Sequence, residues 1–174
     1  MLMKMNMGFK LFCCALIVSC SVLAGLELRR RLLARLHSLI FFREYFRQIR
    51  SYISHVGLAL DDIASELDYE GNYSKFCLIL REKNLHSSFP SAFASTLSIV
   101  QKEFCLSDDD FTMLCAFVDN TGSSDLEGAV ESLNFADEQI SDVIKSAKEK
   151  LETDGRLYVV LSLSCGAVAA LLLL

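Results

Sequence analysis

Two charge-free apolar stretches bracket a chain whose interior alternates apolar and polar residues at helical spacing. Leu11 to Leu26 carries no charge, and Phe9 and Leu28 extend it beyond Lys10 and Glu27. Leu157 to Leu174 is a second charge-free stretch. At ~1.5 Å per residue, about 20 residues cross a hydrocarbon core of ~30 Å, so both qualify as membrane spans. Between them Leu28, Leu32, Leu36, Leu39, Ile40, Phe46, Ile49, Ile53 and Val56 recur at helical intervals. This predicts a long amphipathic helix continuing from the first span. Gly57 marks its end or bend. Shorter helices follow at 59–68, 73–84, 88–103 and 107–120, punctuated by Gly71-Asn72 and by Ser87-Ser88-Phe89-Pro90.

The last long helix has a start written into the sequence. Ser124-Asp125-Leu126-Glu127 reads as a capping box, in which the Ser124 hydroxyl accepts from the Glu127 N–H and the Glu127 carboxylate accepts from the Ser124 N–H. Its apolar stripe runs Leu126, Val130, Leu133, Ala136, Ile140, Ile144, Ala147 and Leu151 toward the second span. The expected fold is all-α: about six helices in a cytoplasmic bundle, the long first and last continuing into N- and C-terminal transmembrane helices. The expected organisation is a tail over 1–8, a span over 9–28, a cytoplasmic domain over 29–156 and a span over 157–174. Both long helices enter the membrane at their 28 and 156 ends, so the economical arrangement is an antiparallel stalk with the shorter helices beside it.

Composition changes this picture little. The chain is 52% hydrophobic with a mean hydropathy of +0.36, an excess concentrated at its two ends. A single proline, Pro90, leaves long helices permitted almost everywhere. The seven cysteines lack paired Cys-x-x-Cys spacing and read as free thiols in a reducing compartment rather than as disulfides or a zinc site.

Charge sets the orientation. Arg29, Arg30, Arg31 and Arg35 follow the first span, and Lys145, Lys148, Lys150 and Arg156 precede the second. By the positive-inside rule the middle region is cytoplasmic and both termini lie outside. A cleaved secretory peptide would put the arginines outside, against that rule. Ile17-Val18-Ser19-Cys20 resembles a lipobox, which would make Cys20 an acylation site. The apolar and then basic residues after Cys20 argue for a span instead. Residues 29–56 hold seven arginines against Glu44, whereas residues 57–156 hold eight basic and twenty acidic residues. Counted from the membrane, Arg43 and Arg47 fall level with Asp137, Glu138 and Asp142, which predicts ion pairs across the stalk.

Candidate chemistry is sparse. The chain has no Gly-x-x-x-x-Gly-Lys-Ser/Thr loop, no Gly-x-Ser-x-Gly elbow and no His-Glu-x-x-His helix. Asp108-Asp109-Asp110 lacks the glycine and the twelfth-position glutamate of a calcium loop, and reads as a helix start capped by Ser107. No cofactor or metal is expected. An acidic middle region disfavours nucleic acid. The physical reading is a scaffold or docking component, not an enzyme, with the lipid bilayer as one partner.

Phe117 to Gly128 resembles the F-x-x-x-L-G-x-S-D-x-E-G stretch of the stage III sporulation protein AB family. Glu149 to Tyr158 resembles that family's K-x-G-x-L-Y run before its final hydrophobic tail. Length, an early arginine-rich helix and two apolar ends fit as well. Departures are Ala129 for the family's glutamine, Val159-Val160-Leu161-Ser162 for its R-S-L-G, and Leu58-Ala59-Leu60 for its T-P-L turn. The resemblance implies a sporulation transport complex in the mother-cell membrane facing the forespore. It also implies a domain similar to that of type II secretion platform proteins. Implied partners are a cytoplasmic secretion-type ATPase, other membrane proteins of the complex and further copies of the chain. The docking surface would be the acidic one around Asp108, Asp109, Asp110, Asp119 and Asp125. The alternative is a membrane-anchored helical adaptor unrelated to sporulation.

Overall fold

A computed structural model describes residues 7–56, 60–67, 69–122 and 126–173, and among these there is no strand. The elements are α1 (Met7–Val56), α2 (Leu60–Glu66), a 3-10 turn (Gly71–Tyr73), α3 (Ser74–Asn84), α4 (Phe89–Val100), α5 (Asp108–Gly122) and α6 (Leu126–Leu173). They form two compact units, one of Met1–Leu36 with Ser146–Leu174 and the other His37–Lys145.

Within His37–Lys145, α1 is wrapped on more than one stripe. Leu39, Phe41, Phe42, Tyr45, Phe46, Ile49 and Ile53 are all buried. Their rings meet those of the shorter elements. Phe41 stacks on Tyr73 with centroids 4.0 Å apart, Phe42 meets Phe76 edge-on at 5.3 Å, and Phe46 meets Phe117 edge-on at 6.2 Å. Phe93 of α4 lies among Phe42, Tyr45, Phe46 and Phe76. Aromatic pairs at such separations add to area burial. The apolar spacing places Ile40 on the core stripe, but the structure leaves it exposed. The buried side of α1 is centred instead on Phe42 and Tyr45.

Local sequence explains where the short helices begin and stop. Gly71 has φ +77°, a left-handed conformation, and opens the 3-10 turn. Pro90 sits in the first turn of α4, where a missing N–H costs nothing. The turn after α4 closes at Cys105, which has φ 54°. The Leu106 N–H donates to the Gln101 carbonyl at 3.0 Å and the Cys105 N–H to the Lys102 carbonyl at 3.3 Å. That pair of bonds is a Schellman closure with cysteine where glycine is usual.

Within Met1–Leu36 and Ser146–Leu174, the ends of α1 and α6 run antiparallel at close approach. Cys14 Sγ donates to the Ala170 carbonyl at 3.4 Å, and the Ser21 hydroxyl donates to the Ser162 carbonyl. A Cβ on Gly25 would collide with the Ser162 side chain. One on Gly166 would lie 2.8 Å from Ser21 Cβ and 3.3 Å from Val18 Cα. Small residues at every fourth position, Ser162, Gly166 and Ala170, let the backbones meet. The faces turned away are apolar: Phe12, Leu16, Leu23, Leu161, Leu163 and Val168 are all exposed. Both helices are long and apolar enough to cross a membrane, and only 11% of each apolar stretch is buried, unlike the core helix of a soluble protein.

Candidate functional site

One carboxylate gathers two arginines across α1 and α6 within His37–Lys145. Arg43, Arg47 and Arg50 stand on successive turns of α1, and Asn134 and Asp137 one turn apart on α6. Arg43 Nε donates to Asp137 Oδ1 at 2.8 Å and its Nη2 to Oδ2 at 3.3 Å. Arg47 repeats the fork at 2.7 Å and 3.2 Å, and Arg50 donates to Asn134 Oδ1 at 2.5 Å. Rising numbers on α1 meet falling numbers on α6, so the helices are antiparallel here too.

The electrostatics follow from these bonds. The hydrogen bond from Arg43, helped by that from Arg47, holds the Asp137 carboxyl down at about 2. Arg47's own hydrogen bond to Asp137 raises Arg47 further above its ordinary value. Glu138 and Asp142 are exposed, and neither makes an ion pair among the described residues. The reason is angular. Leu133, Ala136 and Ile140 face the core, Asp137 borders them, and Glu138 and Asp142 turn about 100° and 140° beyond it.

The acidic start of α5 is divided between two tasks. The Ser107 N–H donates to Asp110 Oδ2 at 2.9 Å, and the Asp110 N–H donates to Ser107 Oγ at 3.2 Å. This reciprocal cap, reinforced by the macrodipole, uses Asp110, which is buried at 2% exposure and not presented to solvent. Asp108 and Asp109 are exposed, with Asp108 Oδ1 accepting from Gln101 Nε2 at 2.8 Å. Asp119 is exposed on the same helix. Ser124 and Asp125 lie outside the described residues, so the predicted box of Ser124 and Glu127 does too; Glu127 is exposed in the first turn of α6.

Hydrophobic spacing gives no hint of a groove between α3 and α4. It encloses about 490 Å³ and is lined by Ile79, Lys83, His86, Ser95 and Ile99. The signal that could have found it is Ile99, an apolar residue left exposed off the core stripe of α4. Buried chemistry is limited. Tyr45 is fully buried, its hydroxyl has no hydrogen-bond partner among the described residues, and burial pushes its pKa well up. Burial also raises the half-buried Cys115 thiol to about 11, keeping it protonated and unreactive. No group of three or more His, Cys, Asp or Glu side chains among the described residues is placed to hold a metal ion.

The model of the stage III sporulation protein AB family matches residues 10–174, from the start of the first apolar stretch to the end of the second. No curated protein and no solved structure matches the chain.

Proposed function

The chain belongs to the stage III sporulation protein AB family, and we propose that it is a non-enzymatic platform subunit of a sporulation transport complex that docks a cytoplasmic secretion-type ATPase. The observation that carries this reading is a family match spanning two apolar helices able to cross a membrane together with the helical region between them. In this reading residues 9–28 and 157–174 anchor the chain, and residues 29–156 face the mother-cell cytoplasm. The arginines and lysines beside both spans support that orientation. The bidentate Arg43–Asp137–Arg47 cluster and the aromatic core suit a rigid support rather than a reaction centre.

Docking is assigned to the acidic residues Asp108, Asp109, Asp119 and Asp125, with Asp110 taken up by the cap at the start of α5. Affinity purification of the full-length protein from sporulating cells should enrich a secretion-type ATPase. The double variant Asp108→Asn/Asp109→Asn should lower that yield about tenfold, since charge pairs at interfaces act mainly on encounter and register. Loss of no ATPase on substitution would move the docking surface elsewhere. No ATPase with the wild-type protein, and no spore defect on deletion, would favour the adaptor reading.

A further inference from the structure

A buried glycine sets the level at which both apolar stretches end. A Cβ on Gly155 of α6 would sit 3.4 Å from Arg29 Cγ of α1, so Arg29 lies alongside the Gly155–Arg156 step. The last apolar residues, Leu28 and Leu157, consequently border one level, and both are exposed. Beyond them Arg29, Arg30, Arg31 and Arg156 are exposed too. On one side of this level, residues 11–26 and 157–174 contain no charge and Glu27 stands at the border; on the other, residues 29–35 and 148–156 hold seven basic and three acidic residues. Three consecutive arginines fan through about 200° of a helix, so α1 presents guanidinium around most of its girth.

These guanidiniums are little used within the protein. Arg31 reaches Glu27 at 3.4 Å with both side chains more than half exposed. Arg29, Arg30 and Arg156 make no ion pair among the described residues. A helix pair could satisfy topology with flexible lysines. Arginine instead offers a planar fork matched to a phosphate.

We propose that this collar binds the headgroup phosphates of anionic phospholipids at the cytoplasmic surface, beyond its role in setting orientation. The inference rests on the membrane reading of the two apolar ends. Phosphate is the shared chemistry, and the lipid is chosen over free phosphate because the collar borders the exposed leucines that acyl chains would cover. A zwitterionic headgroup brings its own cation, which a net-positive collar repels.

The test uses the full-length protein in neutral detergent, titrated with phosphatidylglycerol or phosphatidylcholine of matched acyl chains, with bound lipid counted by native mass spectrometry. Phosphatidylglycerol should be retained in preference. Arg30→Gln and Arg156→Gln should each weaken its retention roughly fivefold, while Arg30→Lys should lose less. Equal retention of the two lipids by the wild-type protein would overturn the proposal without any variant. So would displacement of the lipid by inorganic phosphate, or an anionic preference unchanged when all four arginines are replaced by Gln. Extraction of the protein from membranes by alkaline carbonate would instead defeat the underlying membrane reading, so the two failures are separable.

Discussion

Asp137 carries two guanidiniums on one carboxylate, and this makes it the residue whose loss should be felt most among the surface charges. Its folded pKa is depressed, so its contribution is present above the unfolded value near 4 and is lost as pH falls toward about 2. The shift alone would convert to more than 2 kcal/mol. Arg47 is 42% exposed and screened, so about 1–2 kcal/mol is the realistic figure. Asp137→Asn should lower the unfolding free energy by that amount near neutral pH and flatten the acid limb of the stability curve. Thermal unfolding between about pH 2 and pH 7 checks both. Tyr45→Phe should act in the opposite direction. It removes a buried hydroxyl that has no partner among the described residues, and should stabilise by about 1 kcal/mol in the same assay. Cys105→Gly should also stabilise, by up to ~1 kcal/mol, because it relieves the left-handed backbone that closes the turn after α4.

At the scale of elements, much of the architecture was legible in the sequence, for reasons that also mark where legibility ends. The α3, α4 and α5 boundaries follow turn and cap residues, Gly71, Pro90 and Ser107, whose effects are local. The burial of α1 is not local. Its periodicity selects Ile40, yet neighbours pack on the Phe41, Phe42 and Tyr45 side, and only tertiary contact makes that choice. Asp137 is separated from Glu138 and Asp142 by helix rotation, which equal counting from the membrane cannot resolve. Asp110 looks like its neighbours in sequence, and only the reciprocal bonds with Ser107 remove it from the surface. The antiparallel pairing of α1 and α6 was expected, but the small-residue contact near their apolar ends was hidden, since no expectation singled out Gly25 or Gly166. In a bilayer, lipid tails would offer the helices no hydrophobic drive to associate, and that contact would rest on backbone proximity and interhelical bonds. Gly166→Leu should force α1 away at Ser21 and Val18 and cost about 1–3 kcal/mol, read as a lower unfolding midpoint of the full-length protein in detergent. Val168→Leu, on the exposed face of the same helix, should leave that midpoint unchanged.

Across the whole molecule, the distribution of charge makes a claim that neither residue nor element can make alone. Arg29, Arg30, Arg31 and Arg35 outweigh Lys4 and Lys10 across the first apolar stretch, and Lys145, Lys148, Lys150 and Arg156 precede the second, which is followed by no basic residue in 157–174, so the charge bias of each stretch favours the same orientation. If the middle region is cytoplasmic, alkaline phosphatase fused after Leu174 should be exported and active, and the same enzyme inserted after Gly122 of the otherwise full-length chain should be inactive. A cleaved N-terminal peptide predicts the reverse for the Gly122 fusion, because one crossing would then export the middle region. Replacing Arg29, Arg30, Arg31 and Arg35 by Gln should create a mixed population and raise the activity of the Gly122 fusion. Lys145, Lys148, Lys150 and Arg156 would still hold the second helix in place, which is why inversion should be partial. Complete inversion on losing the first arginine cluster would mean that the second cluster has no vote, and that its basic residues serve the bilayer surface alone.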